Sequence, residues 1–459
     1  MSTLFRLPAI ALILSLSVQA AAIAAPAEIL SEDWRFLPGS AQGAEDPDYD
    51  DSEWRILRLP HDWAVEGPFE AAADGGTGKL PWKGQGWYRR TFELPRRDSS
   101  GRVYFDFDGV MAFPKVYING QLAGGWDYGY NSFRVDATDF VKWGEDNLLA
   151  VHVDTRKWGS RWYPGAGIYR KVGLTITGSI HLGHWGIQVL ATPAEQGPGR
   201  VSVSTLVENH DSRAADITIR HEVTGPDGVA VTTGQQTMRL RARHGADSKL
   251  QLDVTDALLW DVDHPHLYTL HTAVLRDGVV IDSENTRFGF RSFEFTADDG
   301  FHLNGRRVQL YGVNNHHDLG PLGGAFNERA ARRQLEIMQE MGVNALRTAH
   351  NPPAPEVLDL CDEMGILVWD EVFDKYAWTA GRPDLEPPLE EFSRRQIGQV
   401  REAVIESESG QPGIRQATPD NYLTVKVPEG HPAGTLVNQS IDDYRERKLH
   451  GSIQEDIHE

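Results

Sequence analysis

The sequence predicts a multidomain β plus α/β chain: a jelly-roll β-sandwich, a smaller immunoglobulin-like β-sandwich, and then parallel βα units. Three observations carry this. Apolar and polar residues alternate in short runs broken by turn clusters from about residue 28 to 295. After residue 300 the period changes to strand, helix, strand, helix, strand. The length of 459 residues calls for several domains at roughly 100–200 residues each.

Taken in order, residues 1–25 read as a signal peptide: Arg6, the apolar stretch "LPAIALILSLSV", then small residues, with cleavage expected after Ala24 on the Ala22-Ile23-Ala24 tripeptide. The apolar core is shorter than the ~20 residues a bilayer-spanning helix needs, so the expected destination is periplasmic or secreted, with no membrane anchor. Cys361 is the only cysteine, so export brings no internal disulfide and packing must supply the stability. The net charge of −21 has the wrong sign for a nucleic-acid or anionic-membrane partner. A neutral ligand is easier to accommodate.

The segment 26–180 is expected to form the first sandwich. "RVYFDFDGV" puts Val103, Phe105 and Phe107 on one face, and "VYINGQLAGGW" carries an Asn119-Gly120 hairpin signal. The segment 181–295 continues with "RVSVSTLVEN", "DITIRHEV" and "LYTLHTAVL", separated by "GPDG" and "RDG" turns. Its length suits an immunoglobulin-like sandwich without the cysteine pair.

From 296 to 384 "RRVQLYGV" reads as a first strand. "NERAARRQLEIMQEMG" reads as a helix capped by Asn327, with Ala331, Leu335, Met338 and Met341 on one face and Gly342 ending it. "VNALR" is the second strand, "NPPAPEVLDLCDEMG" a second helix ending at Gly365, and "ILVWDE" the third strand. An open doubly wound sheet and a closed eight-stranded barrel both fit this pattern.

In either architecture the C-terminal strand ends share one ligand-binding rim. Strand one ends in Asn314, Asn315, His316, His317 and Asp318, strand two in Arg347, His350 and Asn351, strand three in Asp370, Glu371 and Asp374. Any one of these residues alone reads as a solvated loop or a helix cap. Their recurrence at three successive apolar strands points to a site. Adjacent histidines diverge in direction and no H-E-x-x-H or cysteine cluster is present, which argues against zinc. Neither a G-x-S-x-G elbow nor a phosphate-binding P-loop occurs. What remains is a neutral polyhydroxylated ligand, bonded by histidine, asparagine and carboxylates and stacked on aromatic faces. Trp34, Trp54 and Trp260 read as packing residues, whereas Trp82, Trp87, Trp126, Trp158 and Trp162 lie near glycines in loop-like contexts where exposure to a sugar is the expectation. No cofactor motif is present, and neither a divalent cation nor an oligomeric state follows from the residues.

Several ordered motifs resemble family 2 glycoside hydrolases of β-galactosidase type, over roughly residues 28–380. "DDSEWRILRLPHDWAVEGPF", "GQGWYRRTFELP" and "SRWYPGAGIYRKV" resemble that family's sugar-binding jelly roll. "LWDVDHPHLYTL" and "FGFRSFEF" resemble the end of its immunoglobulin-like domain. "FHLNGRRVQLYGVNNHHDLGPLG" and "MGVNALRTAHNPPAPEVLDLCDEMGILVWDEVFD" resemble the opening of its catalytic TIM barrel, so 296–384 becomes the first βα units of such a barrel. "NNHHDLGPLG" is galactosidase-like, where a β-glucuronidase would more usually carry a lysine and a His-Glu-Asp sequence. The resemblance implies a β-galactoside ligand, with His316 and His350 contacting sugar hydroxyls, Arg347 near the catalytic carboxylates, and Asp370 and Glu371 beside the pocket.

The resemblance also implies two catalytic glutamates, because retaining glycosidases use two carboxyl groups ~5–5.5 Å apart. The family's proton donor is the Glu of an Asn-Glu pair closing strand four. No Asn-Glu pair follows Asp374, and residues 296–459 number 164, against ~250 in a typical barrel. The sequence therefore predicts a truncated chain or a frame change near residue 385, with 385–459 an unmatched polar tail in which "YLTVKV" is the one clear strand; the alternative is a short paralogue with a new C-terminal module, for which the residues offer little support. Two outcomes are expected of such a chain. Either it descends from an exported β-galactosidase without its catalytic pair, or it acts as a catalytically inactive carbohydrate-binding fragment.

Overall fold

The computed structural model describes residues 27–72, 78–95, 101–160, 162–194 and 197–371, together with the backbone of five strands between residues 400 and 454. The expected signal peptide, residues 1–25, and Asp374 lie outside the described residues. Among the described residues no helix is long and apolar enough to cross a membrane.

The first sandwich packs a four-stranded sheet on a six-stranded one. Val103, Phe105 and Phe107 on strand Arg102–Phe107 face Leu149, Val151 and Val153 on strand Asp146–Asp154, and all six side chains are buried. The alternation of each strand supplies this core, since successive side chains leave opposite faces. The Asn119-Gly120 turn joins Lys115–Ile118 to Gln121–Gly125 with φ of 50° and 83° at the two turn residues, the left-handed pair such a hairpin needs. The second sandwich pairs a three-stranded with a four-stranded sheet between Ile180 and Phe288, around Val201, Val223, Leu270 and Phe290.

An antiparallel hairpin unit, Phe293–Thr296, Gly300–Leu303 and Arg306–Arg307, leads into three parallel strands. These are β1 (Gly312–Asn315), β2 (Ala345–Thr348) and β3 (Leu367–Trp369), joined by α1 (Glu328–Glu340) and α2 (Pro355–Met364). Their register pairs Gly312 with Ala345 and Ala345 with Leu367. The Asn327 side chain accepts from the Ala330 N–H, and Gly365 ends α2 in the left-handed region at φ 73°. Leu335, Leu346, Leu360, Cys361 and Ile366 form the core between helices and sheet.

Several expectations change. Strand one begins at Gly312, not in "RRVQ", because Arg306–Arg307 pairs back onto the hairpin. Met341 is exposed, since it caps α1 and turns away after the last helical residue. Trp82, Trp87 and Trp158 are buried rather than open to a ligand, while Trp126 and Trp162 are exposed. The neighbouring glycines make room for rings rather than marking loops: a Cβ on Gly86 would stand 2.8 Å from the Phe36 ring and 2.9 Å from Trp63.

The tail also differs from the expected polar segment with one strand. Val400–Glu408, Ile414–Pro419, Val425–Pro428, Leu436–Arg445 and Lys448–Gln454 pair into a closed five-stranded barrel. Its strands are hard to read because charge interrupts the alternation: "VREAVIESE" has Val400 and Val404 on one parity and Ile405 on the other.

Candidate active site

The ends of β1, β2 and β3 are tied by one carboxylate. Glu371 Oε1 accepts from Arg347 Nε at 2.8 Å and also from Nη2, while Arg347 Nη1 donates to Asn314 Oδ1 at 3.1 Å. Glu371 Oε2 stands 2.8 Å from His350 Nδ1. His350 Nδ1 also lies 3.2 Å from Arg347 Nη2, so imidazole, guanidinium and carboxylate form one hydrogen-bonded set. Asp370 turns the other way: its Oδ1 accepts from Thr348 Oγ1 at 2.9 Å, and that hydroxyl accepts from the Glu371 N–H at 2.9 Å. Burial pushes the Asp370 carboxyl up from the usual range.

The first sandwich completes the rim. Trp162 stacks on His316, with centroids 4.2 Å apart and planes 11° from parallel, and its Nε1 donates to Asp318 Oδ1 at 2.8 Å. His317 sits edge-on to Tyr130 and Tyr169, with Nε2 3.2 Å from the Pro164 carbonyl, and burial pushes it down to about 4. The imidazole is thus neutral near pH 7. Tyr128 donates to Asn351 Oδ1, and the buried Arg170 donates to the carbonyls of Tyr130 and Pro352.

Beneath them Asp62, 2% exposed, gathers four donors: Tyr163 Oη at 2.6 Å, Gly324 N at 2.8 Å, and Ala64 N and Ala166 N at 3.0 Å each. The "LGG" bend comes close enough only because it lacks side chains. Gly323 has φ 61°, and a Cβ there would stand 2.5 Å from Asp62 Oδ2.

His316, His317, His350 and Asn351 share one space of about 190 Å³ with Tyr130, Ser160 and Trp162. Arg347 and Asp370 instead line a neighbouring groove of about 570 Å³, walled by Phe293, Phe295, Val313 and Trp369. Glu371 bridges the two sets through Arg347 and His350. Asp318 reaches the rim through Trp162. Tyr128, Tyr130, Ser160 and Arg170 were not singled out from the sequence, and nothing local in it reveals them: they stand far from residue 316 along the chain. Among the described residues no trio of metal-ligating atoms forms at this rim. Each rim carboxylate already has partners, Asp318 in Trp162, Asp370 in Thr348, Glu371 in Arg347 and His350. The space they leave is bordered by imidazoles, an amide, hydroxyls and an aromatic face.

Two β-sandwiches leading into a parallel βα unit, with aromatic and hydroxyl-bonding groups at its strand ends, are the parts of a multidomain glycoside hydrolase. Residues 78–177 match the model of the sugar binding domain of glycosyl hydrolases family 2, residues 181–291 the model described as glycosyl hydrolases family 2, and residues 295–377 that of the family's TIM barrel domain. The chain belongs to glycosyl hydrolase family 2, and the matched residues are its N-terminal part.

A β-galactosidase from Bacteroides ovatus is 43% identical over 347 residues, covering 75% of this chain and 41% of that protein. A putative β-glucuronidase from Formosa agariphila is 34% identical over 356 residues, covering 77% and 33%. Among solved structures, a family 2 member from Bacteroides cellulosilyticus superposes with a TM-score of 0.73 at 33% identity, covering 76% of this chain and 46% of that one. The chain thus spans less than half the length of these relatives.

Proposed function

We propose that the rim built by His316, His317, His350, Asn351 and Trp162 is the galactose-binding wall of a retaining β-galactosidase site, in a protein exported by residues 1–25. On this reading Arg347 and Glu371 hold His350 in place, and the whole enzyme cleaves terminal β-galactosides by double displacement. The observation that carries the choice of sugar is the absence, among the described residues lining the 190 Å³ space, of any lysine or arginine. A glucuronide would bring a carboxylate needing such a cation, whereas Arg347 is bonded to Glu371 and Arg170 to carbonyls. The 43% identity to a β-galactosidase supports the same choice.

On this reading the 459 residues bind sugar without turnover, because no Asn-Glu pair follows the third strand and the described rim carboxyls Asp318, Asp370 and Glu371 are engaged. Equilibrium titration of the full chain with galactose and with glucuronate, beside a chromogenic β-galactoside assay, tests both parts. Saturable galactose binding in the millimolar range, weakened about tenfold by Glu371→Gln, with no turnover above blank, is expected. Tighter binding of glucuronate would overturn the sugar assignment. Turnover abolished by Glu371→Gln would overturn the claim that the catalytic pair is missing.

A further inference from the structure

A second constellation lies away from the sugar rim, where the first sandwich hands over to the second. In the antiparallel ladder of strands Ile180–Thr192 and Gly199–Asn209, His181 stands directly opposite Glu208. Cross-strand partners leave a sheet on the same face, and so do residues two apart. His210, two residues beyond Glu208, therefore joins that face, and backbone register alone brings an imidazole, a carboxylate and an imidazole together. The side chains agree. His181 Nε2 is 3.5 Å and His210 Nε2 2.9 Å from Glu208 Oε2, and one ligand atom from each residue falls within 4.8 Å of the others. A tetrahedral zinc with bonds of ~2.0–2.1 Å holds its ligand atoms roughly 3.3 Å apart.

The surroundings favour an ion over a simple ion pair. His181 is 1% exposed, and its Nδ1 lies 3.1 Å from the Gly178 carbonyl, to which it donates. That bond fixes the tautomer and leaves Nε2 with its lone pair toward the trio, the outer-shell arrangement metal-binding histidines use. Tyr104 Oη, 3.3 Å from the same Nε2, marks the direction an incoming ion would take over. The backbone is already held, with the His210 N–H on the Ser179 carbonyl at 2.8 Å and Asn209 Nδ2 on the carbonyls of Arg213 and Arg241. The nearby cation Arg134 is compensated by Asp106, at 2.6 and 2.9 Å. One movement is required: His210 stacks parallel to His181 at 5.2 Å and, being on the open side, tilts so that both rings point at one centre.

We propose that His181, Glu208 and His210 form a site for a divalent transition-metal ion of the zinc kind. Two imidazoles and one carboxylate suit such an ion, with water in the fourth position, and not calcium or magnesium, which need oxygen-rich shells. The ion crosslinks the first two strands of the second sandwich beside Tyr104 of the first, so its role is to stiffen the junction.

The test uses the full chain, stripped with chelator and re-equilibrated with zinc sulfate or calcium chloride. Bound metal is measured by mass spectrometry and stability by thermal melting. About one zinc per chain and a raised Tm are expected with zinc and not with calcium. His210→Ala and Glu208→Gln alter partly exposed side chains that the core does not need, and each should weaken zinc uptake at least tenfold while keeping the wild-type circular dichroism. No zinc retained at micromolar free ion, equal uptake by His210→Ala, or an equal response to calcium would overturn the proposal.

Discussion

Asp62 and Glu371 both stand where the first sandwich meets the parallel strands, and they are held in opposite ways. Asp62 is sealed: three backbone N–H groups and the Tyr163 hydroxyl reach it, and among the described residues no guanidinium or ammonium does. Glu371 is 17% exposed and answered by a guanidinium and an imidazole that are themselves more open, at 38% and 30%. A carboxylate bonded to backbone from two domains fixes their relative position, because any separation leaves its donors buried and unpaired. A carboxylate bonded to long, partly exposed side chains can exchange a partner for a ligand hydroxyl at small loss. The first ties two domains together, and the second belongs to the rim for which galactose binding is proposed.

The most severe way to break the contrast is Asp62→Ala. It strands the Tyr163 hydroxyl and the N–H groups of Ala64, Ala166 and Gly324 in a dry junction, a loss of about 3 kcal/mol, or roughly 10 °C in Tm. Thermal melting monitored by circular dichroism measures it. A loss no larger than that of Glu371→Gln would show that the two carboxylates do not differ in the way described.

A milder probe uses acid. Burial, and then the charge of Glu356, push the Asp108 carboxyl up to about 6. Between pH 4 and 6 the folded state keeps a proton that the unfolded chain has released, so this group makes stability fall as pH rises through that window and level off above it. Asp108→Asn should remove this component and raise stability at pH 7 by about 1 kcal/mol, discounted for the solvent that still reaches the group. The readout is the wild-type minus variant difference. His181, His184, His221 and His317, pushed down to about 4 by desolvation, add the opposite slope between pH 4 and 6.5 in both proteins. A variant with an unchanged pH profile would show that Asp108 is not held protonated at the junction.

The same division between docking and binding explains what the sequence disclosed. Patterns within one element were legible: the Val103, Phe105 and Phe107 face, the Asn119-Gly120 turn and the caps at Asn327 and Gly365 all depend on neighbours a few residues away. The clustering of polar residues at three strand ends was legible because parallel strands share one rim. The partners from the first sandwich were not. Trp162 meets Asp318, Tyr128 meets Asn351 and Asp62 meets Gly324 across separations of 156, 223 and 262 residues, and no periodicity encodes such meetings. Glycine misled in the same region, since it signals a turn and close packing alike; that is why Trp82, Trp87 and Trp158 read as exposed though they are core.

The gentlest test separates binding from docking at a single residue. Trp162 is 44% exposed, stacks on His316 and donates one hydrogen bond to Asp318. Removing an exposed ring leaves no cavity in a packed core, so Trp162→Ala should change Tm by no more than a degree or two, within about 0.5 kcal/mol. Galactose affinity should still fall by about 0.5–1.5 kcal/mol, the worth of an aromatic contact beyond its buried area, because the stack that orients His316 goes with the ring. Trp162→Phe keeps a face and loses the Asp318 bond, and should recover part of the affinity. Titration by isothermal calorimetry reads both variants; unchanged affinity in Trp162→Ala would move the sugar away from this wall and leave His316 and Asp318 as supports for the loop after β1.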